Sequence, residues 1–229
     1  MTITLLRRLL KKQPWVVITA FRLFDLNNSV INELAYQELK QQAIEALQNS
    51  SQLELFLKPF DDKKVTTSLK NIIKNGVSSF ETSDPMQNVL NMMSVITGFT
   101  YNLLQIDNKF GPIDIDFVNN ELIYAINSKK ESLVFNADNN QKFNSKRNIL
   151  MLEALEQSRY QEYLDSITRT TQVLMEIFGA FSDRHILTIV SDAVDTESSA
   201  EIDWTNEDFD LYGEVALIRK SHKKPKCHI

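Results

Sequence analysis

The chain has 229 residues, 43% hydrophobic and 24% charged, with only five glycines and five prolines, which fits one globular domain with a full core and argues against an all-β or linker-rich chain. Cys227 is the single cysteine, so no intramolecular disulfide can form and a reducing, cytoplasmic setting is expected, with mitochondria as the alternative. The net charge of −5 conceals a segregation: residues 1–22 and 219–229 hold ten of the 25 bases and none of the 30 acids, so basic ends flank an acidic body.

From the N-terminus, MTITLLRRLLKK is read as a basic amphipathic helix over residues 1–13, with Ile3, Leu5, Leu6, Leu9 and Leu10 on one half of the wheel. The basic half carries Arg7, Arg8, Lys11 and Lys12, and Pro14 ends the helix. Residues 15–26 are almost continuously apolar, and periodicity leaves helix and strand open there. Asn28 or Ser29 then caps a helix to about Gln48, in which Ile31, Ala35, Leu39, Ala43 and Leu47 recur every four residues.

In QLELFLKP the alternation of Leu53, Leu55 and Leu57 predicts a short strand stopped by Pro59. Asp61 or Asp62 is expected to cap the next helix, with Val65, Leu69, Ile72 and Ile73 on one face and Gly76 ending it. Ser83 or Asp84 before Pro85 opens an uncharged helix to about Ile106. That stretch is long enough to span a bilayer, but Gln87, Asn88, Asn91, Asn102 and Gln105 favour a buried core helix.

After Gly111 the period becomes two. Ile113, Ile115 and Phe117 alternate with Asp114 and Asp116, Asn119-Asn120 suits a two-residue turn, and ELIYAIN returns, which predicts a hairpin. Residues 131–136 offer a third strand and NADNNQKFNS a mobile loop. Residues 145–182 read as helical, with a break near Gln157-Ser158 and a stripe from Tyr160 through Tyr163, Ile167 and Leu174 to Phe178. Two strand-like runs, HILTIVS and LYGEVALIR, close the chain around a very acidic loop. The expected architecture is a helix-dominated α+β domain over residues 1–229, with about five helices around a small, mainly antiparallel sheet built from residues 113–136.

Chemistry is harder to find. Glycine-rich phosphate loops, a nucleophile elbow, paired cysteines and histidine pairs at metal spacing are all missing from the sequence. The catalytic candidates are Asp114, Asp116 and Glu121, which the hairpin register would bring to one face, where three carboxylates would suit Mg²⁺ or Mn²⁺ and phosphodiester hydrolysis. The apolar residues between them define the opposite, core-facing side, so the simpler expectation is that all three acids point at water. His185 is placed at the C-terminal end of a helix, where its charge meets the helix dipole. The tail ligands His222, Cys227 and His228 match no structural zinc module, so no metal or other cofactor is expected.

The ends carry the interaction chemistry. Arg7, Arg8, Lys11 and Lys12 on an amphipathic segment would dock on a protein groove or lie peripherally on an anionic membrane, with no transmembrane segment needed. With Lys220, Lys223, Lys224 and Lys226 they would also serve a nucleic-acid-binding protein, although the body between them is acidic. The favoured reading is a non-enzymatic interaction protein, an adaptor, regulator or assembly subunit. A nucleic-acid binder using the basic termini and a metal-dependent hydrolase using the hairpin carboxylates are the alternatives.

Overall fold

The computed structural model describes residues 2–5, 16–24, 31–62, 67–105, 112–126, 129–131, 148–155, 158–188, 198–201 and 218–219. In chain order the strands are β1 (Thr2–Leu5), β2 (Val17–Phe24), β3 (Thr100–Gln105), β4 (Ile113–Val118), β5 (Glu121–Ile126), β6 (Lys129–Glu131), β7 (Asn148–Ala154), β8 (Phe181–Thr188), β9 (Ser198–Glu201) and β10 (Ile218–Arg219). The helices are α1 (Glu33–Gln48), α2 (Ser50–Asp62), α3 (Ser68–Asn75), α4 (Pro85–Thr97) and α5 (Tyr160–Phe178), with a 3₁₀ turn at Gly76–Phe80. The fold is α+β, with two sheets where the sequence suggested one. A six-stranded sheet runs β10-β9-β1-β4-β5-β6 and a four-stranded sheet runs β3-β7-β2-β8. Every pair is antiparallel except β1 with β4, and buried residues from both sheets and all the helices join one hydrophobic core.

The segment left open at residues 15–26 is strand β2. Its consecutive β-branched residues Val16, Val17, Ile18 and Thr19 favour extended backbone. It lies between β7 and β8, paired with both from Val17 to Leu23, and residues 16–23 are buried throughout. A strand covered on both faces shows no alternation, which is why its period was mute. The same physics overturns the helix expected over residues 145–182. Its first part is β7, with all seven residues buried, and the helix begins only at Tyr160, after the break expected near Gln157-Ser158. His185 therefore stands in β8 opposite Ala20, not at a helix terminus.

Two further expectations give way to tertiary packing. The stretch QLELFLKP is part of helix α2, whose buried residues Leu53, Phe56, Pro59 and Phe60 follow a helical spacing. Leu55, the middle member of the apparent alternation, is 66% exposed. Asn49 explains how a helix starts there: its side chain accepts from the Gln52 N–H at 3.2 Å while its own N–H closes α1 on Ala46. At the N-terminus, residues 2–5 are a strand and not the first turn of a helix, because Ile3 is fully buried between Ile113 of β4 and Ala200 of β9. Residues 6–13 lie outside the described residues, as does the 136–145 loop. A third strand, β6, is at Lys129–Glu131 and meets the expected 131–136 only at Glu131; residues 132–136 lie outside the described residues.

Two helix caps lie a few residues from their expected places, and the third, Asp84, is one of the two expected there. Asn32 caps α1, Thr67 caps α3 through the Leu69 N–H, and Asp84 caps α4 through the N–H groups of Met86 and Gln87. Pro85 sits in the first turn of α4 as expected, but the helix stops at Thr97. Gly98 is the reason. It adopts φ +72°, and a Cβ there would come within 2.3 Å of the Phe56 ring, so the chain turns tightly under α2 into β3. The turn is clamped by Arg159, whose guanidinium lies 4.3 Å from the Phe56 ring centre and 4.4 Å from that of Phe99 and donates to the Thr97 carbonyl at 2.6 Å.

Helix α5 packs on one face of the four-stranded sheet. The Tyr163 hydroxyl donates to the Leu152 carbonyl at 2.8 Å and meets Thr19 Oγ1 at 2.9 Å, and Tyr101 meets Thr170 at 3.2 Å. The hairpin is as expected: Asn119 and Asn120 take φ 51° and 68°, the two left-handed residues of a tight two-residue turn, and Val118 pairs with Glu121.

Candidate docking groove

Helices α1 and α5 run side by side in opposite directions. Each buries residues one turn apart: Tyr36, Leu39 and Ala43 on α1, and Val173, Leu174, Ile177 and Phe178 on α5. At one end the Asn32 N–H donates to the Ile177 carbonyl at 2.8 Å, satisfying one of the carbonyls that the end of α5 leaves open. Farther along, the Arg169 guanidinium reaches across to Gln42 Oε1. Along this seam the helices leave an open groove of about 530 Å³ that extends past the Arg169 contact to Asp165.

Ala35, Leu39, Val173 and Ile177 line its base, the last three buried in the core beneath it. The walls are polar: Glu38 and Gln42 from α1, with Asp165, Thr168, Arg169, Gln172 and Glu176 from α5. Asp165 accepts a hydrogen bond from Gln161 at 3.3 Å. Among the described residues, Glu38 and Glu176 make no hydrogen bond or ion pair.

The hairpin carboxylates do not form the expected wet face. Asp116 is buried, at 6% exposure, and accepts from the Phe117 N–H at 2.8 Å, while Asp114 is half-buried. The alternation was read correctly, but both faces of β4 are covered at that position, so a carboxylate expected in water is held by backbone hydrogen bonding. Glu121 occupies its expected place in β5 opposite Val118, and its side chain lies outside the described residues. No three His, Cys, Asp or Glu side chains among the described residues cluster to hold a metal ion.

Of the basic ends, Arg7, Arg8, Lys11, Lys12, Lys220, Lys223, Lys224 and Lys226 lie outside the described residues, as do His222, Cys227 and His228. Arg22, which contributes to the N-terminal basic count, is buried in β2 at 4% exposure, opposite Asp183 of β8. It belongs to the core and not to an exposed end. No described helix is long and apolar enough to cross a membrane.

One charged residue escaped the sequence reading altogether. Glu153 sits in β7 on the sheet face opposite α5, and burial pushes its carboxyl up to about 8, against the opposing pull of a 2.7 Å hydrogen bond from Asn102 Nδ2. Its neighbour Tyr163 is raised by burial as well. Nothing in NILMLEA distinguishes this glutamate from one on the wet side of a helix; only the assignment of β7 as a doubly covered strand reveals it. Set beside known proteins, the chain matches no protein-family model, no curated protein and no solved structure.

Proposed function

We propose that this is a non-enzymatic interaction protein, an adaptor, regulator or assembly subunit, that docks a partner in the groove between α1 and α5. One observation carries the reading: a groove of about 530 Å³ is built on two helices pinned together, and its walls carry Glu38 and Glu176, which make no hydrogen bond or ion pair among the described residues. Charges on the rim supply orientation and rate of encounter. The basic ends, Arg7, Arg8, Lys11 and Lys12 together with Lys220, Lys223, Lys224 and Lys226, serve as further docking elements in this reading.

Site-specific photo-crosslinking in cells expressing the full chain tests it. A photoreactive residue replacing Gln172 in the groove is expected to give a discrete protein adduct, and one replacing exposed Glu54 on α2 is not. Absence of any adduct specific to position 172 overturns the docking reading.

A further inference from the structure

We propose that Asn75–Gly76 is a deamidation site, held shut by the hydrogen bonds that end α3 and released when its last turn opens. Of the five glycines only Gly76 follows an asparagine. The reaction needs this pair. The Gly76 backbone nitrogen loses its proton and attacks Asn75 Cγ, the new C–N bond closes a five-membered succinimide ring, and the carboxamide nitrogen leaves as ammonia. Water then adds to one of the two ring carbonyls and cleaves its bond to nitrogen, leaving aspartate or isoaspartate at position 75. Glycine as the second residue puts no side chain in the path of the attack.

Both residues are accessible to this chemistry. Asn75 is exposed, and its carboxamide makes no hydrogen bond among the described residues. A Cβ at Gly76 would meet nothing within 4 Å, so the ring has room to form. The backbone is what prevents it. The Gly76 N–H, whose proton must leave, donates to the Ile72 and Ile73 carbonyls. Asn75 holds ψ at −17°, so the Gly76 nitrogen nearly eclipses the Asn75 nitrogen and stands away from Cβ, which it must approach for the ring to close. Two hydroxyls fasten this arrangement. Ser78 Oγ donates to the Asn75 carbonyl at 2.8 Å, fixing the peptide plane that has to turn, and Ser79 Oγ donates to the Ile72 carbonyl at 3.1 Å. The site therefore reacts through openings of the last turn, and such local openings cost less than global unfolding. Either product places a carboxylate at the negative end of α3, which disfavours reclosure.

Peptide mapping by mass spectrometry after incubation at mildly alkaline pH tests the proposal, with aspartate plus isoaspartate at position 75 as the readout. The full chain is compared with a synthetic peptide of residues 71–80, with Ser78→Ala/Ser79→Ala, and with Ile167→Val, which thins the core beneath α5. The peptide is expected to react at least about tenfold faster than the parent, and the double variant about fivefold faster, since it loses two hydrogen bonds that hold the turn. Ile167→Val should match the parent. A peptide that yields no product removes the site. A folded chain as fast as the peptide, or a double variant as slow as the parent, shows that the end of α3 does not control it and overturns the proposal. Equal acceleration by both variants assigns the reaction to global unfolding and overturns it as well. If the double variant fails to fold, urea below the unfolding transition replaces it: acceleration in the parent without loss of helical signal supports the proposal, and its absence overturns it.

Discussion

Helix α4 and the groove between α1 and α5 both mix apolar and polar side chains, yet they treat the polar ones in opposite ways. In α4, residues 86–95 are all buried, and nearly every polar group is consumed internally. Asn88 accepts from Thr82 and donates to Tyr36 Oη and the Thr82 carbonyl. Gln87 donates to Asn91, Asn91 to the Ser79 carbonyl, Ser94 to Leu90 and Thr97 to Met93. Gln87 Oε1 is the exception, with no partner. In the groove the carboxylates of Glu38 and Glu176 make no hydrogen bond or ion pair among the described residues. The contrast separates polar residues that burial obliges to pair from polar residues left in water: an unpaired group is costly in the first setting and cheap in the second.

The largest expected effect lies on the buried side of that contrast. Replacing Leu90 with Ala should lower stability by about 2–5 kcal/mol in chemical denaturation, since the side chain is 2% exposed and its loss leaves a cavity. A value within the range of a surface substitution would break the description of α4 as a helix buried on every side. Glu153→Gln is expected next, and its effect depends on pH. The folded carboxyl titrates near 8 and an ordinary one near 4.5, so between those values the folded state keeps a proton that the unfolded state has lost. The parent's stability is then fully present below about pH 4.5 and falls as pH rises through about 8. Gln carries no such proton, so the variant should gain on the parent as pH rises, by on the order of a few kcal/mol at the alkaline end. Parallel pH profiles for parent and variant would refute the buried, protonated carboxyl.

Asn91→Ala should cost about 1–3 kcal/mol, because it strands the Ser79 carbonyl and Gln87 Nε2 in the interior. At the small end, Glu38→Gln and Glu176→Gln should each change stability by less than about 0.5 kcal/mol. If either groove substitution destabilised the fold as much as Asn91→Ala, the groove acids would be structural and the contrast would collapse. Thermal denaturation of the three variants side by side decides it.

The α+β class, the asparagine turn of the hairpin, the proline-led start of α4 and the end of α3 at Gly76 were all legible in the chain. Each depends on backbone chemistry that acts over a few residues: a left-handed turn, a missing N–H, a cap. The groove was legible only by half. Ala35 and Leu39 could be placed on the buried side of α1 and Ile167 and Leu174 in the stripe of α5, but no local signal says which helices will lie together or leave a space between them. Wherever burial came from two sides, local periodicity failed. It left β2 undecided, assigned β7 to a helix, carried α4 past Gly98 into β3, and put Asp116 in water. In NILMLEA and VVITAFRL the pattern that separates a helix from a strand is the position of the wet face, and neither segment has one. Tertiary structure alone supplied the covering layers, and with them the buried state of Arg22, Asp116 and Glu153, because exposure belongs to the packing of distant segments and not to the residues that undergo it.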